Sequence, residues 1–168
     1  MVKVFSLDLS LNHTGFCVME DNNSKTIRSG VIEIKKFVSN EDRISQILNS
    51  LIDIYNEENL DFKAIIIEDF AFGARGRAIF DLGELAGVVK YYFVVREKIP
   101  LFKVKPTQLK KFITGKGNAD KNLMLLKVYK KYGVEFEDDN ECDAFSLAKY
   151  YFEVLVNEDN RQGKKGDI

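Results

Sequence analysis

The sequence is short of the residues that staple or anchor small proteins. It has two cysteines, Cys17 and Cys142, far apart and without a CxxC spacing, and one histidine, His13. A disulfide framework is therefore not expected, nor is a zinc site, which needs a shell of cysteine and histidine ligands. Reduced thiols fit a cytoplasmic compartment. No apolar run approaches the roughly 20 residues that cross a bilayer. The opening MVKVFSLDLSL has no basic region ahead of a cleavable apolar stretch, so no signal peptide is expected. Excess charge of one sign is missing too, the net charge being -1. What remains is 168 residues, 45% hydrophobic and 30% charged, the composition of one globular domain able to bury its own core.

The small net charge conceals a segregation. From Arg96 to Lys131 there are eleven basic residues, opposed only by Glu97 and Asp120. Glu135, Glu137, Asp138, Asp139, Glu141 and Asp143 follow at once. A basic stretch attracts a polyanion, and a tight acidic cluster can hold the cations that polyanion chemistry needs. Charge alone is equally consistent with two solvated faces of opposite sign.

Periodicity supplies the organisation. Val2 to Leu9, Thr14 to Glu20 and Thr26 to Ile34 are short β-rich segments separated by polar turns, a meander of antiparallel strands. After Ser39 or Asn40, either a suitable N-cap, Ile44, Ile47, Leu48, Leu51, Ile52 and Tyr55 mark one face of a helix. Ala64 to Ile67 is a continuous apolar run ending at Glu68-Asp69, the pattern of a strand buried on both faces. A helix is expected over Arg77 to Arg96, a strand over Pro100 to Lys105, and a short helix from Pro106, where proline is tolerated. Gly115-Lys116-Gly117-Asn118 breaks that helix; two more are expected over Asp120 to Tyr132 and Asn140 to Leu155. The order βββ-α-β-α-β-α-α-α predicts an α/β domain over 1–156, a mixed five-stranded sheet with helices on both faces. The polar stretch 157–168 reads as a disordered tail.

Acids stand at the ends of these elements. Asp8 closes the first strand, Glu68 closes the fourth, and Asp139 and Asp143 bracket the start of the last helix. A carboxylate at the margin of a buried strand is costly unless hydrated, paired or metal-bound. Read singly, Asp143 is also what a helix N-terminus favours, and Glu68 is an ordinary strand end in solvent. Together they point elsewhere: if the first and fourth strands are parallel neighbours, Asp8 and Glu68 lie at one sheet edge, where divalent cations reverse their mutual repulsion.

At these residues the sequence resembles the RuvC family of Holliday-junction resolvases, within the RNase H-like superfamily, over about residues 2–152. Asp8-Leu9-Ser10-Leu11-Asn12-His13-Thr14-Gly15-Phe16 is similar to the family's first acidic strand and hairpin. Ile66-Ile67-Glu68, followed by Gly83-Glu84-Leu85-Ala86-Gly87-Val88, is similar to the second acid and the helix after it. The segment from Lys110 to Lys121, with Gly115-Lys116-Gly117, is the most specific match, and Asn140-Glu141-Cys142-Asp143-Ala144 resembles the C-terminal D-x-x-D-A.

The resemblance implies a Mg²⁺-dependent endonuclease, with Mn²⁺ substituting and two ions per active site, acting as a homodimer on branched DNA such as four-way junctions. It implies Asp8, Glu68 and Asp143 as metal ligands. At Asn140, where the family commonly has a fourth acid, this sequence departs; Asn140 itself, Asp139 or Glu141 is the fourth ligand. Lys110 and Lys121 are expected beside the reacting phosphate as catalytic groups. Lys111, Lys116, Arg75, Arg77, Phe70, Phe72 and His13 are expected to contact DNA, the phenylalanines by stacking or wedging. Gly83 and Gly87 permit close approach, either of a second subunit or of the sheet. Two further readings stay open: a nuclease of the same fold acting on RNA, hybrids or flaps, and a catalytically weak protein that binds DNA structures.

Overall fold

The computed structural model describes residues 2–24, 27–34, 38–58, 61–70 and 76–157. Strands β1 (Lys3–Asp8), β2 (His13–Glu20) and β3 (Ile27–Glu33) form the expected meander, and α1 (Asn40–Glu57) follows. Next come β4 (Phe62–Glu68), α2 (Arg77–Lys90), β5 (Leu101–Val104), α3 (Pro106–Thr114), α4 (Lys121–Tyr132) and α5 (Asp139–Tyr150). The sheet order is β3-β2-β1-β4-β5. β1 pairs antiparallel with β2 and parallel with β4, and β4 pairs parallel with β5.

The strand period of two divides the apolar residues between two cores. Phe5 and Leu7 of β1, Phe16 and Val18 of β2, and Ile65 and Ile67 of β4 face α1 and α2. Val4, Cys17, Met19, Ala64 and Ile66, which alternate with them, face α3, α4 and α5. This is why β1 and β4 read as continuous apolar runs: neither face of either strand meets water. The first core is built on aromatic rings, with Phe5 5.4 Å from Phe62 and 5.9 Å from Phe93 between ring centroids. Removing such a ring typically costs 3–5 kcal/mol.

Local chemistry sets the helix ends. The Ser39 hydroxyl caps α1 by accepting from Asp42 N–H, and Asp120 caps α4 by accepting from Leu123 N–H. Pro106 opens α3, and Gly115 ends it in the left-handed region at φ 82°. Asp138 caps α5, accepting from the N–H groups of Asn140 and Glu141.

Three expectations need correction. The β1–β2 turn is one residue shorter than expected: β2 begins at His13, opposite Glu33, and not at Thr14. The Thr14 hydroxyl donates to the Ser10 carbonyl at 2.6 Å, tightening the turn. The helices expected to reach Arg96 and Leu155 do so, but their last turns widen into π-helix at Tyr91–Arg96 and Tyr151–Leu155. Asn157 remains helical, its amide donating to the Glu153 carbonyl at 2.9 Å, so the last helix overruns the boundary expected for the tail; 158–168 lie outside the described residues. Among the described residues no helix is long and apolar enough to cross a membrane.

Candidate active site

Because β1 and β4 are parallel neighbours with Leu7 opposite Ile67, their next residues, Asp8 and Glu68, emerge side by side at one sheet edge. Helix α5 supplies the remaining acids. Its first turn is pressed onto β2 at Gly15, the residue paired with Asp8 across the β1–β2 ladder. A Cβ at Gly15 would lie 2.1 Å from the Asn140 carbonyl oxygen, so only glycine permits the contact. One turn on, the buried Ser6 hydroxyl donates to the Ala144 carbonyl at 2.6 Å. These two contacts fix the rotation of α5, and Asp139 and Asp143, four residues apart on one helix face, turn toward Asp8 and Glu68.

The electrostatics report the convergence. Burial pushes Asp8 up to about 8, with Glu68, Asp143 and Asp139 adding repulsion and Lys121 partly opposing them. Burial raises Glu68 to about 7, reinforced by Asp143, and raises Asp143 to about 6, reinforced by Asp139. Lys110 pulls both Glu68 and Asp143 back down. Lys121 is hydrogen-bonded to Asp139, which holds its ammonium above the ordinary lysine range. A cavity of about 120 Å³ is lined by Glu68, Lys110, Lys121, Asp139 and Asp143, with Pro106, Met124 and Leu125 as its apolar wall. A second concavity of about 250 Å³ joins Asp8 and Glu68 to Phe70.

The donor set is all oxygen, the kind that hard divalent cations select. Several half-buried acids raising one another's proton affinity is the arrangement such a cation would relieve. The residues therefore fit a divalent metal chemically, Asp8, Glu68, Asp143 and Asp139 being those that would hold it. Among the described residues no three such side chains form a ready-made ligand cluster, so the acids are neighbours without being drawn into a closed shell.

Of the residues singled out from sequence, Asp8, Glu68, Asp143, Asp139, Lys110 and Lys121 are brought together, and Phe70 stands at the rim beside Lys103, whose ammonium lies 5.4 Å from its ring. Glu141 turns away, accepting from the Ser29 hydroxyl at 2.6 Å. Asn140 lines a groove on the other side of Asp8, and its amide donates to Asp138. Lys111, Lys116, Arg77 and His13 are exposed and line neither cavity; Arg77 lies 3.9 Å from Asp81. Phe72 and Arg75 lie outside the described residues. Gly83 and Gly87 are not packed on the sheet, since a Cβ at either would meet nothing within 4 Å. The positioning roles of Gly15 and Ser6 escaped the sequence reading, because a lone glycine and serine within strands carry no distinguishing pattern.

Comparison with known proteins bears on the family and the fold. Residues 4–149 match the family model described as crossover junction endodeoxyribonuclease RuvC. The chain is 27% identical over 151 residues to the crossover junction endodeoxyribonuclease RuvC of Prochlorococcus marinus, covering 88% of this chain and 96% of that one. It is 25% identical over 156 residues to that of Carboxydothermus hydrogenoformans, covering 88% and 93%. The structure of Thermus thermophilus RuvC in complex with Holliday junction substrate superposes with a TM-score of 0.76 at 19% identity, covering 94% of this chain and 97% of that one.

Proposed function

The chain belongs to the RuvC family of crossover junction endodeoxyribonucleases, and from that premise we propose which of its residues hydrolyse the phosphodiesters of a Holliday junction. Family membership makes it a metal-dependent nuclease; the assignment of roles rests on one observation, the gathering of four acids from three separate elements, with Glu68, Asp139 and Asp143 lining a cavity with Lys110 and Lys121 and Asp8 beside them in the adjoining concavity it shares with Glu68.

In this reading Asp8, Glu68 and Asp143 hold two Mg²⁺ ions, for which Mn²⁺ substitutes. When bound, the metal supplies a nucleophile at neutral pH and neutralises charge on the leaving oxygen. Asp139 is the fourth ligand in place of Asn140, since it faces the same acids while Glu141 is committed to Ser29. Lys110 and Lys121 bind and orient the non-bridging oxygens of the reacting phosphate. Lys121 leaves Asp139 for the phosphate when DNA binds, and the ammonium then stabilises charge that builds in the transition state. The apolar wall of Met124 and Leu125 excludes water from one side. Lys111 and Lys116 extend the basic track along α3 and the α3–α4 connection, Phe70 stacks on an opened base, and Arg77 and His13 make outer contacts; Phe72 and Arg75, outside the described residues, keep the DNA-contacting roles expected from the sequence.

The protein works as a homodimer through the outer face of α2. Phe80, Gly87, Tyr91 and Val95 are exposed along it and its π-helical continuation at helical spacing, and among the described residues nothing lies within 4 Å of where a Cβ on Gly83 or Gly87 would stand. The deciding experiment offers one protein a four-way junction, a duplex, a flap and an RNA–DNA hybrid with and without Mg²⁺. Metal-dependent cutting of the junction alone is the expected result; equal cutting of the hybrid would move the substrate assignment to RNA.

A further inference from the structure

On the side of Asp8 away from the Lys110 cavity, a groove of about 520 Å³ runs between the β1–β2 turn, the start of α1 and the start of α2. Asp8, Ser10, Asn12, Asn40, Arg43 and Asn140 give it a polar lining, in which Arg43 is the one cationic side chain among the described residues. Asp81, an acid on the α2 wall, lies 3.9 Å from Arg77.

Arg43 sits in the first turn of α1, its backbone N–H donating to the Ser39 carbonyl at 3.0 Å. Its Nη1 donates to Asn12 Oδ1 at 3.1 Å, while its Nε is buried without a hydrogen-bond partner among the described residues. A guanidinium has five donors in a planar fork matched to two phosphate oxygens. A buried donor with no acceptor costs about 1–3 kcal/mol, so the guanidinium is not held in place by a full set of internal partners. The lysines assigned above lie on one side of the carboxylates only, whereas the backbone of a cleaved strand must continue on both.

We propose that this groove is a phosphodiester subsite, in which Arg43, steadied by Asn12 and flanked by Ser10, Asn40 and Asn140, grips a backbone phosphate next to the one hydrolysed. The inference rests on the nuclease reading and extends it to the path of the strand. Recognition is by charge and fork geometry, so it carries no base preference.

The test uses the full chain and a fluorescent four-way junction, with anisotropy measured across a salt series in EDTA so that no cleavage competes. Arg43→Gln is expected to weaken binding about tenfold and to flatten the log–log salt slope by about 0.9, the signature of one lost phosphate contact. Arg43→Lys should keep most of the slope. Asn12→Ala, which removes the acceptor but leaves the charge, should change thermal stability more than slope. A purely structural Arg43 predicts the reverse, a lowered melting temperature with an unchanged slope. Junctions carrying a single neutral methylphosphonate beside the cut locate the contact. One position should weaken wild-type binding and be silent in Arg43→Gln, and an identical penalty in both proteins overturns the proposal. Lys110→Ala separates the levels: a flattened slope there with a normal one in Arg43→Gln rejects the groove alone, while no junction binding by the wild type rejects the nuclease reading itself.

Discussion

The two ends of β1 treat charge in opposite ways. At its start, the half-buried Lys3 donates to the Glu58 carbonyl oxygen at 2.9 Å and to the Glu58 carboxylate at 3.3 Å. Arg28 completes the network, 2.7 Å from Glu57 and 3.5 Å from Glu58. At its end, Asp8 meets three further acids and only one opposing lysine. One end is a neutralised ion network that helps close the sheet. The other is a charge imbalance that the fold tolerates, and such local violations of the burial rules concentrate where a protein does chemistry.

The hardest way to break the comparison is to remove charge at the imbalanced end. Asp8→Asn, Glu68→Gln and Asp143→Asn should each lower junction cleavage about 10³-fold, the equivalent of about 4 kcal/mol of transition-state stabilisation. Junction affinity should stay within a few-fold of wild type; turnover near the wild-type rate in any one removes that residue from the site. The fourth position should give a smaller loss and a clear order. Asp139→Asn is expected to slow cleavage about 30-fold, and Glu141→Gln to leave it within about twofold. If Glu141→Gln is the slower enzyme, α5 is rotated from the position described.

Stability should move the other way. With its folded value near 8 and its ordinary value 3.8, Asp8 favours folding when protonated. That contribution is complete below about pH 4 and is lost as the pH rises toward 8. Metal-free Asp8→Asn should therefore match the wild type near pH 4 and exceed it by a margin that grows as the pH rises to 8. Added Mg²⁺ should close the gap by stabilising only the wild type. Thermal melts across pH, with and without the cation, check this; a gap that is constant with pH would show that Asp8 is not frustrated.

Further from the acids the effects shrink. Lys110→Ala and Lys121→Ala should slow cleavage about tenfold or more at saturating DNA, with Lys127→Ala and Lys130→Ala close to wild type. At the balanced end of β1, Lys3→Ala should cost about 1 kcal/mol of stability and leave the cleavage rate unchanged. A rate defect there would mean the two ends are coupled through the strand.

Much of this was legible in the sequence because burial on both faces leaves a plain signature. β4 showed itself as an unbroken apolar run, and its parallel pairing with β1 then required Asp8 and Glu68 to share an edge. The choice between Asp139, Asn140 and Glu141 was not legible. One residue turns a helix face by about 100°, and which face meets β1 depends on Gly15 and Ser6, distant in sequence from α5. The π-helical ends of α2 and α5 were hidden for a related reason. An apolar spacing of three and four residues continues through Phe93 without revealing that the turn around it has widened. His13 was misplaced because it shares the polarity of the turn it borders.

The hydrogen bond from Ser6 to Ala144 spans 138 residues. Contacts of such separation form late, since the intervening chain must first be ordered. Asp143 cannot approach Asp8 until α5 has docked against β1 and β2, and α5 is the last helix of the fold. During synthesis the ribosome therefore releases the first acid long before the last. A chain made only as far as Lys131 carries the basic segment without Asp139 or Asp143, so the cutting centre is not yet assembled.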